Sequence, residues 1–303
     1  DSILPAGRQV ITFVDTPGHA AFSAMRERGS KLADMAILIV SGSDGVMPQT
    51  IESLQFIKEQ NLPFVVAITK SDLPDFLADK VKTQLAEHQV FVETKGGDVP
   101  VVSVSVKTGQ GISDLLEILN LLAELTPPQA DPDGELSLTV LESRLDSKKG
   151  PLATVVVTSG TLKLGQKLFQ NTDIGKVKAL SSGHPQALPS EPVEILGLSI
   201  VPEVGSVISD QIASNLKIPS PSLIKEGESK GEFKIILKAD VIGSLEAITW
   251  SLPQEVHLLS SGTGDVTEND VMLAAQSSAR VLAFNVKCPT GVAKLAEVDK
   301  VVV

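Results

Sequence analysis

Between residues 10 and 126, four short apolar runs rich in β-branched residues alternate with four stretches of helical periodicity, and this alternation restricts the fold more than any other feature of the chain. The runs are "VITFV", "MAILIVSG", "PFVVAIT" and "VPVVSVSV"; the helical stretches fall near residues 20–31, 49–59, 76–88 and 112–125. Strands that read as near-continuous apolar runs are buried on both faces, so they run parallel with helices on either side. The expectation is an incomplete, doubly wound α/β sheet lacking at least its first strand. Ligands of such sheets bind beyond the carboxyl ends of the strands, so the polar residues that follow each run are the candidates for function.

The rest of the chain changes texture twice. The segment "TPPQADPDGE" is rich in proline and acids and reads as a linker over residues 127–135, closing a first domain at 1–126. Six short strand-like pieces follow without a helix: "LSLTVLESRL", "GPLATVVVTSG", "TLKLGQKLF", "GKVKAL", "PVEILGLS" and a last one near residues 204–208. They predict a small antiparallel β-barrel over 136–215. A second Pro, Ser and Gly-rich linker spans 216–231, and strand, helix, strand, helix and strand patterns then predict a smaller α/β domain over 232–303.

With 303 residues the chain is long enough for several cores. No run approaches the roughly 18 apolar residues of a membrane span, so no membrane partner is expected. The single cysteine, Cys288, excludes an internal disulfide framework and a cysteine-rich zinc site, which points to a reducing compartment, the cytoplasm. A net charge of −11 speaks against a generally basic surface, although a local basic face can still meet phosphates. The chain opens on "DSILPAGRQ" without a signal-peptide pattern and closes on the strand-like run "VDKVVV", so it reads as a fragment cut at both ends.

The candidate chemistry sits after three of the apolar runs. Asp15, in "VDTPGH", is a carboxylate able to hold a divalent cation through water, and Gly18 leaves its backbone N–H open to an anion. "TKSD", residues 69–72, follows "PFVVAI"; the Asp72 carboxylate can accept both donors of a guanine edge while Lys70 lays its aliphatic stem over the ring. "SVK", Ser105, Val106 and Lys107, can close the base pocket with backbone N–H groups. Taken singly, each is equally an ordinary turn or helix entry. Their order and spacing, each after a buried strand, match a GTPase.

At these residues the chain resembles bacterial-type translation initiation factor two, a translational GTPase. The likeness is carried by "VDTPGHAAFSAMRERGSKLADMAILIVSGSDGVMPQTIESL", by "ESRLDSKKGPLATVVVTSGTLKLG" in the barrel, and by "KADVIGSLEAI" with "SGTGDVTENDVMLA" in the third domain. The resemblance implies a P-loop-GTPase-type sheet that binds GTP or GDP with Mg2+. It implies that Asp15 orders Mg2+ through water in the phosphate-sensing turn with Thr16 and Pro17. It further implies that Gly18 donates to the γ-phosphate, that His19 orients the attacking water, and that Lys70 and Asp72 read guanine. His88, His184 and His257 are scattered and read as structural or solvated.

The sequence departs from the family in two places. No G-x-x-x-x-G-K-[ST] loop occurs, which is attributed to truncation, and its absence predicts impaired GTP hydrolysis by this chain. Thr69 stands where the family usually carries asparagine, which predicts weakened base recognition. The resemblance also implies ribosome binding, with Arg144, Lys148 and Lys149 as candidate contacts, and a monomeric intact protein. By the same resemblance, initiator transfer RNA is expected to be bound only through a domain absent here. A nucleotide-independent ribosome- or protein-binding module is the competing reading, and another translational GTPase such as an elongation factor is the third. The family works in bacteria and in organelles, so an organelle matrix is the alternative compartment.

Overall fold

The computed structural model describes residues 11–16, 23–127, 130–146, 148–211, 233–253 and 255–303. It divides into two compact units, Asp1–Gln129 and Ala130–Val303. In the first, β1 (Ala36–Ser41), β2 (Phe64–Thr69) and β3 (Val101–Ser103) form a parallel sheet in that order. The sheet is wound by α1 (Ser23–Leu32), α2 (Pro48–Glu59), α3 (Ala78–Glu87) and α4 (Ile112–Leu125). Because successive side chains of a strand point to opposite faces, β2 feeds two cores. Val66 and Ile68 pack with Leu54 and Ile57 of α2 and with Val81 and Leu85 of α3. Val65 and Ala67 pack with Leu119 of α4 on the other face. This two-sided burial is what the continuous run "PFVVAIT" encodes.

Of the expected strand "VITFV", the described residues 11–14 form no strand, and Val10 lies outside the described residues. Residues 11–16 join no ladder, and Phe13 is 61% exposed, although Ile11 packs into the α4-side core. An apolar, β-branched run becomes a strand only beside a strand with free N–H and C=O groups, and the described residues place none next to this one.

The second unit contains a closed six-stranded antiparallel barrel. Its strands are β4 (Ser137–Asp146), β5 (Gly150–Ser159), β7 (Lys167–Gln170), β8 (Thr172–Leu180), β10 (Pro192–Leu198) and β11 (Val207–Ser209), in the order β10-β5-β4-β11-β7-β8. A separate two-stranded ribbon of β6 (Leu162–Lys163) and β9 (Gln186–Ala187) packs Leu162 and Ala187 into the same core. Leu138, Val155, Leu168, Ile174, Ile195 and Ile208 fill the interior and are fully buried. The expected single strand "TLKLGQKLF" is broken into β6 and β7 because Gly165 takes φ +84°, a left-handed turn conformation.

Beyond the barrel, β12 (Phe233–Ala239), β13 (Val256–Thr263) and β14 (Arg280–Phe284) form a parallel sheet in the order β13-β12-β14. It is crossed by α5 (Ile242–Ser251) and α6 (Glu268–Ser277) and followed by α7 (Thr290–Val298). Thr267 caps α6, accepting from the Asp270 backbone N–H while the Asp270 carboxylate accepts from the Thr267 N–H. Helix α7 is absent from the sequence reading; Val292 and Ala296, four apart, bury its one apolar stripe. Val301, Val302 and Val303 form no strand, yet the Val281 N–H donates to the Val302 carbonyl at 2.9 Å. Among the described residues, no helix is long and apolar enough to cross a membrane.

The barrel interior makes a direct test. Ile195→Ala should cost about 3 kcal/mol of stability in urea unfolding, and Leu164→Ala, at a site 46% exposed, about 0.5 kcal/mol or less. Equal losses would show that the barrel core is not formed as described.

Candidate nucleotide site

Since β1, β2 and β3 run parallel and in register, their carboxyl ends lie along one edge: Ser41 pairs with Thr69, and Ile68 with Ser103. The loops leaving that edge are laced together through the backbone. The Gly42 N–H donates to the Thr69 carbonyl at 3.0 Å, the Ser71 N–H to the Val104 carbonyl at 3.1 Å, and the Leu77 N–H to the Gly42 carbonyl at 3.0 Å. Gly42 is required here, because a β-carbon at that position would come within 2.2 Å of the Phe76 ring.

Asp72 and Ser105 meet across this edge. The Ser105 hydroxyl, fully buried, donates to the Asp72 carboxylate at 2.6 Å and accepts from the Thr108 N–H at 3.2 Å. That hydrogen bond is the chief reason the exposed Asp72 carboxyl is held below its ordinary value; its own backbone N–H and the Lys107 charge add to the effect. The Ser105 N–H is committed to the Gln110 carbonyl at 3.0 Å, so Ser105 contributes its hydroxyl to the site and its amide to the loop. Among the described residues, the N–H groups of Val106 and Lys107 have no acceptor, and the Val106 side chain is 86% exposed.

Thr69 ends β2, and its hydroxyl donates to the Val40 carbonyl at 3.4 Å, a tie to β1 rather than a brace within its own loop. Lys70 takes φ +63°, and its ammonium reaches Asp44 at 2.8 Å. Asp44 was not anticipated from the sequence. Its signal was the acid in "SGSDG" directly after an apolar strand, the same arrangement that singled out Asp72.

Asp15 is exposed, and Thr16 lies against α1, where a β-carbon on Gly29 would stand 2.9 Å from its methyl carbon. Pro17, Gly18 and His19 lie outside the described residues. The site residues thus fall into two groups, with Thr69, Lys70, Asp72, Ser105, Val106 and Lys107 gathered on the β2 and β3 loops. Helix α1 is tied to α2 by an ion pair at 2.5 Å between the buried Arg26 and Glu52. Among the described residues, no group of three or more His, Cys, Asp or Glu side chains forms a metal cluster. In the barrel, Arg144 pairs with Glu194 at 2.6 Å, while Lys148 and Lys149 sit in a turn whose N–H groups donate to the Asp146 carboxylate.

Three family models match the chain in succession: the elongation factor Tu GTP binding domain over residues 4–125, elongation factor G domain 2 over 135–211, and translation-initiation factor 2 over 213–303. Translation initiation factor IF-2 of Desulforamulus reducens is 43% identical over 96% of this chain and 33% of its own length. That of Aquifex aeolicus is 40% identical over 98% of this chain and 41% of its own length. Along nearly its whole length the chain is similar to translation initiation factor IF-2. It spans only about a third to two-fifths of these IF-2 relatives. Among solved structures, GDP-bound aIF5B from Aeropyrum pernix matches 95% of this chain and 59% of its own, at 26% identity and a TM-score of 0.55. The bacterial selenocysteine-specific elongation factor EF-Sec matches 64% of this chain and 34% of its own, at 26% identity and a TM-score of 0.53. The match over 213–303 and the named relatives favour an initiation factor over an elongation factor.

If the Ser105 hydroxyl holds the Asp72 carboxyl low, Ser105→Ala moves the Asp72 titration up toward the ordinary carboxylate value. A group with a depressed folded pKa adds stability above its unfolded pKa and loses it as pH falls through the folded one. The variant therefore loses that acid-side stability at a higher pH. Carbon-13 NMR titration of Asp72 reads this directly, and an unchanged midpoint contradicts it.

Proposed function

We propose that the Asp72 and Ser105 loops form the base-recognising part of a guanine-nucleotide site in a translation initiation GTPase. The observation that carries this is the exposed Asp72 carboxylate fixed by a buried hydroxyl at the carboxyl edge of a parallel sheet. An ionised carboxylate has about four acceptor positions, and Ser105 takes one of them. Enough remain for the N1–H and the exocyclic amine of guanine, whereas adenine presents no such pair of donors on that edge. The N–H groups of Val106 and Lys107 suit the guanine carbonyl oxygen. The GDP-bound state named for the aIF5B neighbour supports the reading.

Within this reading, Asp15 and Thr16 serve the phosphate end with Pro17, Gly18 and His19. One exposed carboxylate is a suitable partner for Mg2+, which keeps most of its waters and takes further oxygens from phosphates; it would supply charge neutralisation there. Gly18 would donate to the γ-phosphate, and His19 would orient the attacking water. In the whole protein, the function is GTP-dependent placement of initiator transfer RNA and joining of ribosomal subunits, with GTP hydrolysis. The proposed segmentation is 1–126, 136–215 and 232–303, with linkers at 127–135 and 216–231, and the ribosome is the proposed partner.

Exchange of the base edge tests the assignment. Asp72→Asn replaces an acceptor by a donor, so it should weaken guanosine binding and favour xanthosine, each by about 10- to 100-fold, in ligand-observed NMR of the full 303-residue chain. Equal binding of guanosine, xanthosine and adenosine, or no guanosine binding by the parent chain, overturns it.

A further inference from the structure

The base loops leave one charged contact unexplained. Lys70 reaches across from the β2 loop to Asp44 on the β1 loop, a contact of 2.8 Å in which both side chains are about half exposed (48% and 54%). A surface ion pair of this kind adds little to fold stability. Both of its ends are nevertheless fixed. At the acidic end, the Asp44 N–H donates to the Ser41 hydroxyl at 3.3 Å and the Gly45 N–H to the Ser41 carbonyl at 2.9 Å. The Val46 N–H donates to the Gln84 side chain of α3 at 3.0 Å. At the basic end, Lys70 holds a left-handed backbone conformation, φ +63°, that most residues avoid, and the flanking Ser71 N–H is bonded to Val104.

We propose that Asp44 is a positioning residue for base binding: by anchoring the Lys70 ammonium to the β1 loop, it fixes the lysine stem as one side of the proposed base site, with Ser105, Val106 and Lys107 as the other. This deepens the guanine-site reading and rests on it. A lysine side chain loses up to about 2 kcal/mol of rotamer freedom when it is ordered. With Asp44 in place much of that ordering precedes ligand, so the base meets a preformed apolar strip. The strip packs against the face of the base and not its edge. Asp44 therefore affects guanine and xanthine alike, while Asp72 tells them apart.

The test is ligand-observed NMR with guanosine and xanthosine on the full chain. Asp44→Ala should weaken guanosine binding about three- to tenfold. Asp44→Glu should restore most of it, and the deficit should shrink at about 1 M salt, where exposed charges are screened within a few ångströms. In the Asp72→Asn background, Asp44→Ala should weaken xanthosine binding by the same factor. A ligand-free arm reads the pair itself. The hydrogen bond from Lys70, followed by that from Ser41, holds the Asp44 carboxyl below its ordinary value, with the Lys70 and Lys80 charges assisting. Lys70→Met should move the Asp44 titration upward. Parent-like guanosine binding by Asp44→Ala, with the Asp72→Asn exchange intact, overturns this inference and leaves the functional reading standing. A deficit that ignores salt and is not restored by glutamate also overturns it, as does an Asp44 titration unmoved by Lys70→Met. Absence of guanosine binding in the parent chain overturns both readings.

Discussion

The burial of β2 on both faces is the constraint on which the first unit depends. Val65, Val66, Ala67 and Ile68 are almost wholly shielded from water, so neither face of the strand can be spared for solvent and helices must cover both. Parallel pairing on each side then aligns the carboxyl ends of β1, β2 and β3, and the polar residues after them have no choice but to share an edge. The site is a by-product of hydrophobic burial. Asp44, Lys70, Asp72 and Ser105 are separated by up to 61 residues in the chain and meet because the strands beneath them do.

Much of this was legible in the sequence, for a physical reason. Buried parallel strands leave long apolar runs, and "PFVVAIT" followed by "TKSD" announces both the strand and the place where chemistry can begin. The barrel was legible too, since closely spaced turn residues between β-rich pieces leave no room for helices. The cut within "TLKLGQKLF" was less visible, because a glycine inside a strand-like run is compatible with a bulge as well as a turn, and only its φ decides.

Other features depended on partners the local sequence does not name. "VITFV" has every propensity of a strand, yet its described residues 11–14 join no ladder, since propensity describes what a residue fits and not whether a neighbour is present. Helix α7 hides in "CPTGVAKLAEV", where Pro289 and Gly291 read as a loop and only the Val292 and Ala296 spacing marks a buried face. Asp44 is the instructive omission within the site: nothing in "SGSDG" says that a lysine 26 residues later will reach it. The roles of Ser105 were similarly divided by tertiary structure, its hydroxyl going to Asp72 and its amide to Gln110.

The bond from the Ser71 N–H to the Val104 carbonyl joins the loops that follow β2 and β3 at the point where β3 leaves its ladder with β2. Such a pair of loops cannot be assembled before the sheet is: the unfolded chain holds neither in place, and a chain with β3 detached holds only one. By mass action, anything held between these loops withdraws molecules from the detached and unfolded populations, by RT ln(1 + [L]/Kd). Occupancy and the closure of β3 onto β2 are therefore one equilibrium viewed from two ends. A perturbation on the far side of β3, with no contact to the ligand, would be felt as a change in affinity.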